Sequence, residues 1–153
     1  DLAISYAKFL IEKENIEKTI FNDANAIIAK AAIAKNDFTT AKKYYTIVEK
    51  NAEGELKAEA LYYNSFFKNK AKSFEASNKI ILTIIADYSS YKYWGVKSYL
   101  IMAKNYAGLD DVYQATFVLE NIIKNFTQFK DVIAEAKIEL EKIKTSKTTK
   151  KQD

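Results

Sequence analysis

The sequence of 153 residues contains no cysteine, histidine, proline or arginine, and only three glycines. Without cysteine and histidine, the chain has no thiol nucleophile, disulfide, imidazole base or usual structural zinc ligand. Without proline, no residue interrupts a helix by removing a backbone donor. No apolar run approaches the roughly 18 residues that a membrane-spanning helix needs. We therefore expect no disulfide, no metal, no cofactor and no direct insertion into a membrane.

The positive charge lies at the C-terminal end. The formal net charge is +4, and residues 142–153, KIKTSKTTKKQD, contain five lysines and one aspartate, so the rest of the chain is neutral. Nucleic-acid-binding proteins concentrate basic residues on a folded face, so we expect no nucleic-acid partner. The chain begins at Asp1 without an initiator methionine or a leader, and we expect it to be a piece of a longer protein.

Apolar residues recur at intervals of three and four along the chain, which predicts an all-helical structure. One break, between residues 13 and 23, cannot be placed, because the chain could turn at Asn15 or near Asn22. Residues 129–144 are predicted to form a closing helix with a single buried face, and residues 145–153 a disordered Lys-rich tail. The other breaks fall at polar segments: residues 35–37, 51–55, 68–73, 87–92, 107–111 and 125–131.

Small residues recur in pairs separated by twelve positions, with each pair spanning a break. Apolar residues precede the second member of each pair by three positions and follow it by four and seven. Two antiparallel helices approach closely only where the side chains at their crossing are small, so this pattern predicts three stacked helix hairpins. The pairs are Ala29 with Ala41, Ser65 with Ser77, and Ala103 with Ala115.

This pattern resembles the tetratricopeptide repeat (TPR). The third copy fits best, with Ala103, Tyr106, Ala115, Leu119 and Ile122, while Ala32 and Lys68 stand in the position of Tyr106 and the closing proline is missing. The resemblance implies a TPR-like right-handed α-solenoid of about three hairpins plus a C-terminal capping helix. The repeat domain would span residues 1–144, with repeats at 22–51, 55–88 and 93–126.

A closer likeness involves the segment YKYWGVKSYLIMAKNYAGLDDVYQATFVLENIIKNF together with the later IAEAKIEL. These residues resemble the C-terminal end of long repeat proteins of low-GC Gram-negative bacteria. Such proteins are generally exported, so the resemblance implies a location in the periplasm or at the outer membrane. The residues themselves give no location.

The acidic residues do not predict a catalytic or metal site. Asp110 and Asp111 precede a helix, where carboxylates satisfy free backbone N–H groups; metal binding is the alternative interpretation. A second acidic group, Glu53, Glu55 and Glu59, is predicted to be the solvated start of a helix. The pairs Asp131 with Glu135 and Glu135 with Glu139 share an exposed face, whereas general acid–base catalysis needs burial. We therefore expect a protein that is not an enzyme.

Tyr93 and Trp94 follow a turn and precede Gly95, and Trp94 is the only tryptophan in the chain. Their rings are predicted to pack the connection onto the preceding helix, with ligand contact as the alternative. Gly95 is not a phosphate loop, because a single glycine cannot wrap a phosphate.

The residues left over after packing suggest where a partner would bind. Tyr62, Phe66 and Asn69 lie at i, i+4 and i+7 and are predicted to face the concave side of the array, unless the rings pack against a neighbouring repeat. An apolar centre with a basic border would suit an acidic, partly hydrophobic peptide. The predicted border consists of Lys30, Lys97 and Lys104.

Two functions of different kinds fit the sequence. The first is a non-catalytic scaffold that holds a peptide or protein segment on its concave face, as the resemblance implies. The second is a purely structural role, in which the chain is the end of a longer array and contacts its own upstream repeats. An apolar face on residues 2–21 without a partner in this chain would favour the second.

Overall fold

The structure, a computed structural model, describes residues 2–149, with side chains through residue 145. All regular structure in this part of the chain is α-helical, which confirms the predicted all-α class. The eight helices are α1 Leu2–Ile11, α2 Lys18–Ala34, α3 Phe38–Asn51, α4 Gly54–Lys70, α5 Phe74–Asp87, α6 Lys92–Gly108, α7 Val112–Asn125 and α8 Lys130–Thr149.

The six helices from α2 to α7 form three hairpins of the same dimensions. The first helix of each hairpin, α2, α4 or α6, has 17 residues, and the second, α3, α5 or α7, has 14. Consecutive helices pack against each other from α1 to α8. The fold is therefore a solenoid-like array, as the recurring small residues predict.

The turn inside each hairpin is also repeated. Asn36, Lys72 and Asp110 have positive φ values of 57°, 56° and 62°. The residue after each of them donates its backbone N–H to a carbonyl five positions earlier, at 2.9 Å in all three turns. This hydrogen bond closes the first helix with a Schellman-type motif, which needs one left-handed residue. The chain therefore reverses in the same way three times.

The paired small residues lie where the two helices of a hairpin cross. All six are buried, and in the second hairpin the Ser77 hydroxyl donates to the Ser65 carbonyl oxygen at 2.8 Å. The apolar residues four and seven positions later are also buried, and they join clusters that connect one hairpin to the next. The sequence pattern thus identified the contacts that hold the array together.

First helices also contact one another. α4 packs on α6, and α6 packs on α8, in addition to the contacts between neighbours in sequence. These three helices form a continuous layer, here called the first-helix layer. Because α8 follows the third hairpin in this layer and covers Leu119 and Ile122 with Val132, Ala136 and Leu140, it occupies the place of a further first helix.

The structure places one boundary that the sequence left open and moves another. α1 ends at Ile11 and α2 begins at Lys18, with Asn15 at a φ of 61° in the connection, which places the break that the sequence left open. The closing helix continues to Thr149, past the predicted end at residue 144. Residues 150–153 of the predicted tail lie outside the described residues.

Candidate functional site

Five aromatic rings from α4 and α6 form one cluster on the first-helix layer. The ring centroids of Tyr62 and Trp94 are 5.5 Å apart, those of Tyr63 and Trp94 6.2 Å, and those of Tyr93 and Trp94 5.2 Å. Phe66 adjoins Tyr63 at 6.5 Å. Tyr63, Phe66, Tyr93 and Trp94 are half-buried. We call these five residues the aromatic face.

Tyr62 does not line an open groove, so its prediction as an exposed binding residue is wrong. Its side chain is only 7% exposed, because α6 packs on α4 and places the indole of Trp94 beside it. Burial raises the pKa of the Tyr62 hydroxyl, and the nearby Tyr63 and Glu135 raise it further. The alternative interpretation, packing against the neighbouring repeat, is correct for Tyr62.

Phe66 combines packing with partial exposure. Its ring meets Phe38 edge-on at 5.5 Å and Phe67 at 5.6 Å, and the Lys70 ammonium lies 5.5 Å from its centroid. These contacts join the first two hairpins. Phe66 is therefore both part of the packing and one edge of the accessible aromatic face.

Asn69, predicted to contact a partner, is bound within the chain. Its amide donates to Oδ1 of the buried Asn105 at 2.7 Å. The Asn105 amide in turn donates to Ser77 Oγ at 2.9 Å and to Asn78 Oδ1 at 2.7 Å. A buried polar group has to be hydrogen-bonded to avoid a large desolvation cost, and here the side chains satisfy each other. This network ties α4, α5 and α6 together.

Two lysines of the predicted basic border pair with carboxylates within the chain. Lys30 Nζ lies 3.0 Å from the buried carboxylate of Glu59. Lys104 Nζ lies 2.6 Å from Glu135 and 3.7 Å from Glu139.

The third lysine, Lys97, contacts the aromatic face of the same chain. Its ammonium donates to the Tyr93 hydroxyl at 3.1 Å and lies 5.2 to 5.6 Å from the rings of Tyr62, Tyr93 and Trp94. These contacts fix the position of the charge over the rings.

Glu59 is a structural centre that the sequence prediction missed. The sequence predicts that Glu59 lies at a solvated helix start, but its side chain is buried. The Tyr45 hydroxyl donates a hydrogen bond to Glu59 Oε1 at 2.8 Å. Burial raises the pKa of Tyr45, and the adjacent carboxylate raises it further. Glu53 and Glu55 are exposed, as predicted. Since Tyr45 lies in another helix, the spacing of the acidic residues carried no sign of this contact.

A hydrogen bond between α6 and α8 marks the far edge of the aromatic face. The Tyr93 hydroxyl donates to Asp131 Oδ2 at 2.8 Å. Burial and this carboxylate raise the pKa of Tyr93 to about 12, while the hydrogen bond lowers the pKa of Asp131. Glu135, one turn along α8, is exposed beside Lys104. The edge therefore presents carboxylates as well as an amine.

Trp94 carries a polar atom that the fold does not satisfy. Its indole Nε1 is buried and has no hydrogen-bond acceptor among the described residues. An unpaired buried donor costs about 1–3 kcal/mol, and the fold carries this cost at Trp94. The partly exposed surface of the ring, rather than this atom, is what a partner could contact.

The other acidic predictions have clear outcomes. Asp111 caps α7 by accepting from the Gln114 backbone N–H at 3.0 Å, and Asp37 caps α3 in the same way through Thr40 at 3.0 Å. Asp110 supplies the left-handed turn residue.

No cluster of three or more metal-ligating residues occurs in the described part of the chain. Among the same residues, no helix is long and apolar enough to span a bilayer.

One cavity lies outside the aromatic face, between α3 and the C-terminal end of α4. It has a volume of about 720 Å³ and is open to solvent. Phe38 and Phe67 form its apolar wall, and Lys42, Lys43 and Lys70 surround it. Lys70 already lies against Phe38 and Phe66, so the cavity is a surface depression beside the hairpin packing.

Comparisons with known proteins give no relative: the chain matches no family model, no curated protein and no solved structure.

Proposed function

We propose that the chain is a non-catalytic protein-interaction scaffold of the TPR type, and that it binds a peptide or protein segment on the aromatic face. The repeated helix lengths, the repeated turns and the buried small residues support the finer assignment to TPR-like repeats. The observation that carries the binding proposal is the group of four half-buried rings, Tyr63, Phe66, Tyr93 and Trp94, on neighbouring first helices.

The chemistry of this face indicates the kind of partner. Tyrosine and tryptophan are enriched at interface centres, because large rigid rings bury much area at a small entropic cost. An apolar or aromatic side chain of the partner would cover the exposed parts of these rings. Lys30 and Lys104 pair with carboxylates, and the Tyr93 hydroxyl that accepts from Lys97 itself donates to Asp131, so we propose a partner without a requirement for acidic groups. Of the two predicted properties of the partner peptide, we therefore keep its hydrophobic character and drop its acidic character.

The cellular setting is a proposal that rests on the resemblance alone. The likeness to the ends of long envelope-associated repeat proteins supports a location in the periplasm or at the outer membrane. The expected absence of a nucleic-acid partner rests on the neutral body and the short basic segment at the C-terminal end.

Selection of binding peptides tests the interaction proposal. A displayed random-peptide library is panned on the immobilised protein, and the selected peptides are titrated in solution. Since Trp94 is the only tryptophan, a peptide that binds the aromatic face should shift the emission of the protein. Trp94→Phe keeps a ring but removes much of its contact area, and it should weaken binding about tenfold by calorimetry, which corresponds to about 1.4 kcal/mol.

The matched control is Phe117→Ser on α7, where the ring is 54% exposed and lies outside the aromatic face. It should leave the affinity of the selected peptides unchanged. If the selected peptides bind the Phe117→Ser protein more weakly but bind the Trp94→Phe protein with unchanged affinity, the binding surface lies on α7 and the proposal is rejected.

The second candidate is the structural role at the end of a longer array. One observation favours it: Leu2, Tyr6 and Phe9 on α1 and Ile20 on α2 are 90%, 62%, 51% and 41% exposed. These exposed apolar residues lie within residues 2–21, where such a face would favour the structural role. The two functions are compatible, because this surface and the aromatic face involve different residues.

A further inference from the structure

The position of α1 in the repeat identifies what kind of helix it is. In the second and third hairpins, the small residue of the second helix precedes the next first helix by 15 positions: Ser77 precedes Lys92, and Ala115 precedes Lys130. Ala3 in α1 precedes Lys18, the start of α2, by the same 15 positions. α1 therefore corresponds to the second helix of a hairpin, with Ala3 at the crossing.

Burial along α1 agrees with this alignment on one side only. Ala7 and Leu10 stand four and seven positions after Ala3, and they are covered by α2, as Ile81 and Ile84 are covered in the second hairpin. Ala3 is exposed, although all three of its counterparts at the hairpin crossings are buried: Ala41, Ser77 and Ala115.

Tyr6 shows the same difference. Its counterparts three positions after the crossing residue are half-buried and join the apolar clusters, and Tyr44 packs beside Ala24 and Ile28 of its own first helix. Tyr6 is 62% exposed. The side of α1 that is uncovered is thus the side that the second helix of a hairpin turns towards its first helix.

α2 shows a matching uncovered surface. Ile20 and Ile27 lie nine and two positions before the crossing residue Ala29, and both are exposed. The same positions in α6 are occupied by Trp94 and Ile101, which contact the preceding first helix, α4. Ile20 and Ile27 therefore lack the same neighbour that Ala3 and Tyr6 lack.

We propose that one additional helix of the α2, α4 and α6 kind binds this surface, packs on Ala3 and Tyr6 of α1 and on Ile20 and Ile27 of α2, and completes a fourth hairpin. The occupant is an amphipathic first helix with a small residue opposite Ala3, joined to α1 by a turn of the repeated kind. The contact with α1 repeats the hairpin interface that the chain already forms three times, and the contact with α2 repeats the packing of α4 on α6 and of α6 on α8. It rests on the repeat geometry and is independent of peptide binding at the aromatic face.

The chain offers its own probe, because α3 carries Ala41 and Tyr44 where α1 carries Ala3 and Tyr6. α2 already packs against the α3 pair. A second copy of residues 18–38, fused directly ahead of Asp1, places the copied Ala29 twelve positions before Ala3, as in the native hairpin. The fusion should raise Tm by at least about 4 °C, because it buries apolar surface on both helices.

Ala3→Leu gives the matched control. In the natural chain Ala3 is exposed, so this substitution should leave Tm unchanged, whereas Ala115→Leu at a buried crossing should lower it. In the fusion, Ala3→Leu should abolish the gain in Tm. No gain in the fusion, or an equal gain with and without Ala3→Leu, would reject the proposal.

Sedimentation of the natural chain tests a second copy as the occupant. A monomer agrees with the proposal, and a dimer that Tyr6→Ser disperses would reject it in favour of self-association. Peptide binding at the aromatic face is measured on the same proteins and should be equal with and without the fusion. The two proposals can therefore fail separately.

Discussion

At the scale of the residue, Glu59 shows how one buried charge is made tolerable. A carboxylate taken out of water loses its hydration, and it is retained only where hydrogen bonds and an opposite charge replace that hydration. Tyr45 supplies the hydrogen bond from α3, and Lys30 supplies the charge from α2. The side chain of Glu59 thereby connects α4 to both α2 and α3.

We expect Tyr45→Phe to destabilise the protein by about 1–3 kcal/mol, because Glu59 would lose its buried donor while the ring packing is kept. The midpoint of urea unfolding measures this change. The control is Tyr113→Phe, whose ring is 76% exposed and which should leave the midpoint unchanged. Equal midpoints for the two variants would show that the hydrogen bond contributes nothing.

The hydrogen bond from Tyr93 to Asp131 predicts a pH dependence. This bond holds the pKa of Asp131 below its ordinary value, so its stabilising effect is present above that ordinary value and is lost as the pH falls through the folded-state pKa. Tyr93→Phe should raise the pKa of Asp131, measured by NMR titration of the carboxyl carbon.

Asp37 provides the internal reference for this titration. Its pKa is lowered by its own contacts with Thr40, at a turn that Tyr93 does not contact. It should titrate identically in both proteins. An unchanged Asp131 titration in Tyr93→Phe would contradict the assignment.

At the scale of the element, α6 shows how a glycine can be required at one end of a helix and dispensable at the other. A Cβ atom added to Gly108 would lie 2.3 Å from Cζ of Phe74, at the start of α5. A Cβ atom added to Gly95 would meet no atom within 4 Å. The close packing of α5 on the end of α6 therefore depends on Gly108.

Gly108→Ala should lower the free energy of unfolding by about 1–3 kcal/mol through overpacking against Phe74. Gly95→Ala should raise it by about 0.5–1 kcal/mol, because alanine loses less conformational entropy in a helix. Chemical denaturation of the two variants measures both changes. The opposite signs within one helix separate the packing effect from the propensity effect, and two changes of the same sign would contradict this account.

The sequence predicted the hairpins better than the site. The spacing of small residues marked the helix crossings because the contacts inside a hairpin are close in sequence and repeat with a fixed period. Tyr62 was misplaced because its burial depends on Trp94, which lies in a different hairpin. Asn69 and Asn105 are 36 positions apart and lie in different hairpins, so no local spacing signalled their hydrogen bond.

At the scale of the whole molecule, the apolar clusters are arranged in series. One cluster joins α1 to α2, the next joins the first two hairpins, the third joins the second and third hairpins, and the last joins the third hairpin to α8. In such an array each unit is stabilised only by its neighbours, so local stability depends on how many neighbours a helix has. α1 packs mainly on α2, whereas α6 packs on α4, α5, α7 and α8.

Amide hydrogen exchange should therefore follow a gradient along the array. We expect the backbone amides of α1 to exchange fastest among the eight helices, and those of α4 to α6 slowest, since opening α1 disrupts only the small cluster that α1 forms with Ala24 and Ile28 of α2. Mass spectrometry of peptides taken along a time course resolves these helices. Fusion of the additional first helix should slow exchange in α1 and leave α6 unchanged, because only α1 and α2 gain a neighbour. Exchange in the natural chain that is as slow in α1 as in α5 would mean that the array unfolds as a single cooperative unit.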